Sequence, residues 1–149
     1  MSGNLFHSFV IHAPLDGVAD ALMQEDAIRR WWTAEASVRD GIGVMGWSGH
    51  GWEVELAMVH DPLAQEVVWR CLRSNMQNTS AWEGTTIRFV LRPVEGGTRL
   101  EFSQTGYRES PCRDVCHQGW AFFVGTSLKQ YLETGRGVPY PEMVDTRKG

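Results

Sequence analysis

Side chains able to do chemistry are densest at Cys112-Arg113-Asp114-Val115-Cys116-His117, where two thiols and an imidazole come together. A haem-attachment motif has two residues between its cysteines and a histidine directly after the second. Here three residues intervene, so on a helix Cys112 and Cys116 share a face while His117 turns about 100° away. Zinc needs further ligands, and none lies close in sequence. The spacing therefore predicts two thiols on the inner stripe of a helix, with no metal and no cofactor. An intrahelical disulfide between them is disfavoured by geometry.

Histidine is the other candidate for proton transfer. His60 closes the inward side of a strand, where it is placed as a general base at a cavity rim or as a solvated residue before the Asp61-Pro62 turn. His7, His12, His50 and His117 have no paired carboxylate at a recognisable spacing. No Ser-His-Asp order and no phosphate-binding glycine loop is present. Gly41 and Gly43 precede a strand, whereas a dinucleotide fingerprint opens a helix. The sequence assigns no catalytic residue.

Seven tryptophans in 149 residues are the stronger signal. Each indole brings a large apolar face and one N–H that wants a partner when buried. Trp47, Trp52, Met58, Trp69, Phe89, Phe102, Gln104, Cys116, Trp120 and Phe123 fall on the inward faces of predicted elements. A cavity lined by this set would take a flat or hydrophobic small molecule, oriented by one or two hydrogen bonds, with Gln104 as the polar anchor. The same side chains would otherwise fill the space and leave no void.

The elements that must position these residues are legible from periodicity. Ile87, Phe89 and Leu91 alternate with Thr86, Arg88 and Arg92 in a strand read from Trp82 to Pro93, and Leu100 and Phe102 alternate with Arg99 and Glu101. Val94-Glu95-Gly96-Gly97 joins the two as a hairpin. Helical spacing follows: Cys116, Trp120, Phe123, Val124, Leu128, Tyr131 and Leu132 form one stripe, with Gln118, Lys129 and Glu133 opposite and Phe122 and Leu132 toward the flanks as packing residues. Ser110-Pro111 is read as its start and Gly135 as its stop.

Upstream, Leu5 to His12 reads as a strand ended by Ala13-Pro14, then two short helices around Leu15 to Met23 and Ala27 to Trp32. Strands are expected at Ala34 to Arg39, Val44 to Trp47, Trp52 to His60 and around Val67 to Cys71, with Ser74 to Ser80 as a loop. The expected fold class is α+β: a curved antiparallel sheet gripping a long C-terminal helix, with two short helices after the first strand.

Length fits a single domain, core 6–135 with a tail 136–149 that is a strap or disordered. The net charge of −4 with scattered basic residues argues against nucleic acid and anionic lipid. Three cysteines, no leader-like N-terminus and no long apolar run predict a cytoplasmic chain without a membrane span.

Taken together, Ile28-Arg29-Arg30-Trp31-Trp32-Thr33, Asp61-Pro62 followed by Val67-Val68-Trp69, Gly97-Thr98-Arg99-Leu100, and Gly119-Trp120 leading to Leu128-Lys129-Gln130-Tyr131-Leu132-Glu133-Thr134-Gly135 resemble the START-like helix-grip (SRPBCC) superfamily. Within it the chain resembles the bacterial branch named for homology to the activator of heat-shock chaperone ATPase, from about Phe6 to Pro139. The resemblance implies a helix-grip fold and binding of a small hydrophobic ligand between sheet and helix. Its alternatives are a cyclase-like or hydrolase-like enzyme, or a co-chaperone-type interaction module, and it allows a homodimer through an exposed strand edge. Many relatives carry a His before the Thr/Ser-Gly that ends the last strand. This chain has Gln104-Thr105-Gly106 there, which removes a proton-transfer group from that position.

Overall fold

The computed structural model describes residues 5–106 and 113–142, with side chains omitted at 113–115. The expected helix start at Ser110-Pro111, the thiol of Cys112 and the end of the tail lie outside the described residues. In chain order the elements are β1 (Leu5–Ile11), α1 (Leu15–Met23), α2 (Glu25–Trp31), β2 (Glu35–Arg39), β3 (Ile42–Trp47), β4 (Trp52–Asp61) and β5 (Glu66–Ser74). A 3₁₀ turn (Met76–Asn78) leads to β6 (Thr86–Val94), β7 (Gly97–Thr105) and the C-terminal helix. That helix runs as α3 (Arg113–Phe122), a π-helical segment (Phe123–Leu128) and α4 (Lys129–Thr134).

The seven strands make one antiparallel, curved sheet in the order β1-β7-β6-β5-β4-β3-β2. Its inward face follows the period-2 pattern: Ile87, Phe89 and Leu91 of β6 and Leu100, Phe102 and Gln104 of β7 are all buried. Asp40-Gly41, both at positive φ, closes the β2–β3 hairpin, and Gly96 at φ 81° closes β6–β7. The strand read from Trp82 begins instead at Thr86. Trp82 to Gly84 turn first, with Gly84 at φ 83° and the Thr85 hydroxyl donating to the Trp82 carbonyl at 2.7 Å. Pro93 is tolerated because β5 pairs with β6 only as far as Val90, so no partner strand asks for the missing N–H.

The two short helices and the C-terminal helix cover the inward face. Val18, Ala19 and Leu22 of α1 and Ile28 and Trp31 of α2 are buried. The C-terminal helix is seated by Gly125, whose missing side chain leaves room for the Phe9 ring: a Cβ there would lie 2.5 Å from it. Ser127 locks the same turn from the other side. Its buried hydroxyl donates to the Trp31 carbonyl at 2.7 Å and accepts the Val138 N–H at 2.8 Å. Both contacts fall in the π-helical segment, where the ladder widens to i→i+5.

After Gly135, at φ 90°, the chain returns across the sheet's open end as a strap. Tyr140 pairs with Trp32 and Ala34: its N–H donates to the Trp32 carbonyl at 2.9 Å, and its carbonyl accepts the Ala34 N–H at 2.8 Å. The described part of the tail is therefore ordered against α2 and β2. Among the described residues no helix is long and apolar enough to cross a membrane.

Candidate functional site

A cavity of about 490 Å³ opens between the β3–β4 turn, the 3₁₀ turn and α3. It is built from distant stretches of sequence. Trp47 and Trp52 pair across the ends of β3 and β4, and Trp32 follows directly on the last residue of α2. Trp82 comes from the turn before β6, Trp120 from α3 and Tyr140 from the strap. Among the described residues no Asp, Glu, Lys or Arg lines it.

Aromatic packing makes the walls continuous. Trp82 stacks on Trp120 with ring centroids 5.5 Å apart and planes 17° from parallel, and Trp120 meets Trp32 at 5.2 Å. Trp32 stacks in turn on Trp69 at 5.2 Å and meets Trp47 edge-on at 5.4 Å. At the mouth the exposed His50 lies flat on Trp52, 4.3 Å between centroids and 15° between planes. Offset stacks and edge contacts such as these each add about 0.5–1.5 kcal/mol beyond area burial. The wall is thereby stiff as well as apolar.

Hydrogen bonds fix the rings that stacking alone would let slide. The Trp120 indole N–H donates to Gln104 Oε1 at 2.9 Å, and Gln104 Nε2 donates to Thr85 Oγ1 at 3.1 Å. Thr85 passes the connection to the Trp82 carbonyl, and the Trp82 N–H lies 3.4 Å from Cys116 Sγ. Trp52 donates to Asn78 Oδ1 at 3.2 Å, tying the mouth to the 3₁₀ turn. In that turn Gln77 and Asn78 are both at positive φ, 56° and 61°, outside the region that side chains prefer.

The structure brings together five of the ten residues picked from the sequence: Trp47, Trp52, Cys116, Trp120 and Phe123 line this cavity. Met58, Trp69, Phe89 and Phe102 are buried behind it, in the core beneath the helix. Gln104 also stands behind the lining, fully buried, with both ends of its amide engaged by Trp120 and Thr85. His60 is not at the rim. It is half-buried in β4, is not among the lining residues, and its Nε2 is buried without a partner among the described residues.

Several lining residues escape a reading of sequence. Phe122, expected to pack at the helix flank, lines the cavity beside Gln118 one helical turn earlier. The mouth lies to one side of α3, so the i, i+4 ridge flanking the main stripe becomes its rim. Met76 and Gln77 enter through the 3₁₀ turn, and Tyr140 through the strap, neither of which carries a periodic signal.

Comparison with known proteins places this architecture. A family model described as "Activator of Hsp90 ATPase homolog 1-like protein" matches residues 12–133. The chain belongs to this family. Among solved structures it is similar to the Aha1 dimer from Colwellia psychrerythraea, with 28% identity and a TM-score of 0.74 over 90% of this chain and 98% of that one. A protein from Staphylococcus saprophyticus matches at 16% identity and a TM-score of 0.68, covering 91% of this chain and 95% of its own. DynU16, from the dynemicin biosynthetic locus, matches at 20% and 0.67, covering 91% of this chain and 49% of its own. These last two similarities show the fold alone. No match is found among curated proteins. The family of the heat-shock chaperone ATPase activator, expected from the sequence motifs, is thus the family of this chain, and the helix-grip fold is its fold.

Proposed function

We propose that this chain binds one small, uncharged hydrophobic or aromatic molecule in the cavity between the β3–β4 turn and α3, residues 6–135 and the strap acting as a single cytoplasmic ligand-binding domain. The observation that carries this reading is a void of about 490 Å³ walled by five tryptophans, with no Asp, Glu, Lys or Arg among its described lining residues and one imidazole, His50, exposed at the mouth. Such a wall desolvates an apolar ligand at little cost and offers no counter-charge to an ionic one. Cys71, a buried free thiol, suits a reducing compartment. Native mass spectrometry of protein purified from its own host tests the proposal. A bound compound near one-to-one supports it. An apo mass, together with unchanged tryptophan fluorescence across a panel of flat apolar compounds, refutes it.

A second reading concerns assembly. The edge strand β1 turns Phe6, 63% exposed, and Val10, 40% exposed, outward, and the Colwellia relative is described as a dimer. We propose that this chain also pairs with itself through that edge. Sedimentation velocity that gives a monomer mass at every concentration rejects this second reading.

A further inference from the structure

We infer that Tyr140 is a polar specificity determinant of the cavity, and that its hydroxyl donates a hydrogen bond to a carbonyl or similar oxygen on a flat aromatic ligand. The inference rests on the ligand-binding reading above and narrows it to a class: neutral aromatic compounds bearing an acceptor oxygen.

Backbone bonds to Trp32 and Ala34 fix Tyr140 at the open end of the sheet, with its side chain buried and lining the cavity. The ring reaches the β3–β4 turn, whose Trp47 and His50 form the adjoining wall. There the hydroxyl oxygen accepts the Gly49 N–H at 2.7 Å. A Cβ at Gly49 would crowd that oxygen, so the bare glycine lets the phenol approach the turn.

A phenolic hydroxyl has one donor and two acceptor positions. The Gly49 bond uses an acceptor position and leaves the proton free. Among the described residues no acceptor takes that proton, so the Tyr140 O–H is a positioned donor at a largely apolar wall. The Trp32 and Trp47 indole N–H groups and the half-buried Gln77 amide also line the cavity without a hydrogen-bond partner among the described residues, but no hydrogen bond orients them as the Gly49 N–H orients the Tyr140 hydroxyl. Gln104 is consumed by Trp120 and Thr85, and the Trp52 and Trp82 N–H groups are consumed by Asn78 and Cys116. His50 and Gln118 are exposed at the mouth, where water competes for them. A buried donor aimed by a backbone N–H loses its bond to water when an apolar ligand covers it, so a ligand that restores the bond is favoured over one that does not.

Fluorene and 9-fluorenone test this directly, because they share a ring system and differ by one carbonyl. Equilibrium dialysis against wild type should give fluorenone about tenfold tighter, the ordinary return on one buried hydrogen bond. Tyr140→Phe should bind the two within about twofold, with fluorene affinity kept. Equal binding of the two by wild type overturns the inference and leaves the container reading standing, whereas binding of neither compound counts against the container reading itself. Preference for fluorenone that survives in Tyr140→Phe also overturns it, as does an equal loss of both ligands in that variant. Should Tyr140→Phe not fold, the infrared carbonyl stretch of fluorenone on wild type decides. A shift to lower frequency from its position in an apolar solvent is expected, and an unshifted band overturns the inference.

Discussion

The indole of Trp120 and the amide of Gln104 form a single unit: the Trp120 N–H donates to Gln104 Oε1 at 2.9 Å, with both residues buried, one on α3 and the other near the end of β7. This bond fixes a cavity wall to the sheet, and it explains why a buried glutamine sits among aromatic rings. Its other end holds Thr85, which steadies the turn carrying Trp82. Gln104 positions the wall that a ligand would meet.

Gln104→Leu should therefore act through Trp120 and Thr85. The substitution leaves the Trp120 N–H without an acceptor in a buried site and is expected to cost about 1–3 kcal/mol. Urea denaturation checks this, and a midpoint equal to wild type would show that the amide is dispensable.

Trp31 and Trp69 are both fully buried and stack on each other at 6.4 Å, yet their N–H groups differ. The Trp31 N–H donates to the Ala21 carbonyl at 2.7 Å, while the Trp69 N–H has no partner among the described residues. Trp31→Phe is expected to destabilise by about 1 kcal/mol more than Trp69→Phe, since only the first breaks a hydrogen bond. Paired denaturation curves measure the difference, and the reverse order would contradict the assignment.

Trp52 and Trp120 should separate stability from binding. Trp120→Ala removes a buried ring that touches Trp32, Trp82 and Phe102, at about 3–5 kcal/mol. Trp52 is only partly buried and its main neighbour is the exposed His50, so Trp52→Ala should cost about 1–2 kcal/mol and still weaken ligand binding. Calorimetric unfolding beside a binding assay reads both. A Trp52→Ala protein that binds unchanged removes Trp52 from the site.

His7 gives a pH dependence with a definite sign. Desolvation under α3 lowers its pKa below the ordinary 6.5, the His117 carbonyl opposes this with a hydrogen bond, and the nearby His117 ring lowers it further. The unfolded chain therefore takes up the proton first as pH falls. Stability from this residue is complete above 6.5 and is lost as pH drops from there through the folded pKa. His7→Phe should flatten that part of a melting-temperature profile taken from about pH 8 to about pH 5. A variant profile that keeps the wild-type slope assigns the effect to another group.

The strands and the C-terminal helix were legible because each carries its own period: two in Ile87-Phe89-Leu91, near 3.6 in Cys116-Trp120-Val124. Period separates inward from outward and says nothing of depth along the sheet. Phe89 and Phe102 point inward as surely as Trp47, but helix covers them while Trp47 stands at the open end. The residues that enclose the cavity from outside the periodic elements, Trp32, Met76, Trp82 and Tyr140, sit at chain ends and turns. Their meeting depends on how the helix lies across the sheet. Trp82 was misread as strand for a related reason: an aromatic residue before Gly84 satisfies strand preference, whereas the positive φ that breaks the run belongs to the glycine.

The order β1-β7-β6 sets a schedule for a chain made from its N-terminus. Leu5 pairs with Gln104, about a hundred residues later, and β1 has no other strand beside it. While the ribosome works through the middle of the sheet, the first strand waits with Leu5 and Ile11, buried in the finished fold, still unshielded and every ladder hydrogen bond unmade. Only when β7 emerges does the N-terminus acquire a place, so sheet closure comes late in synthesis, and any interruption before Thr105 strands an adhesive edge in the cell.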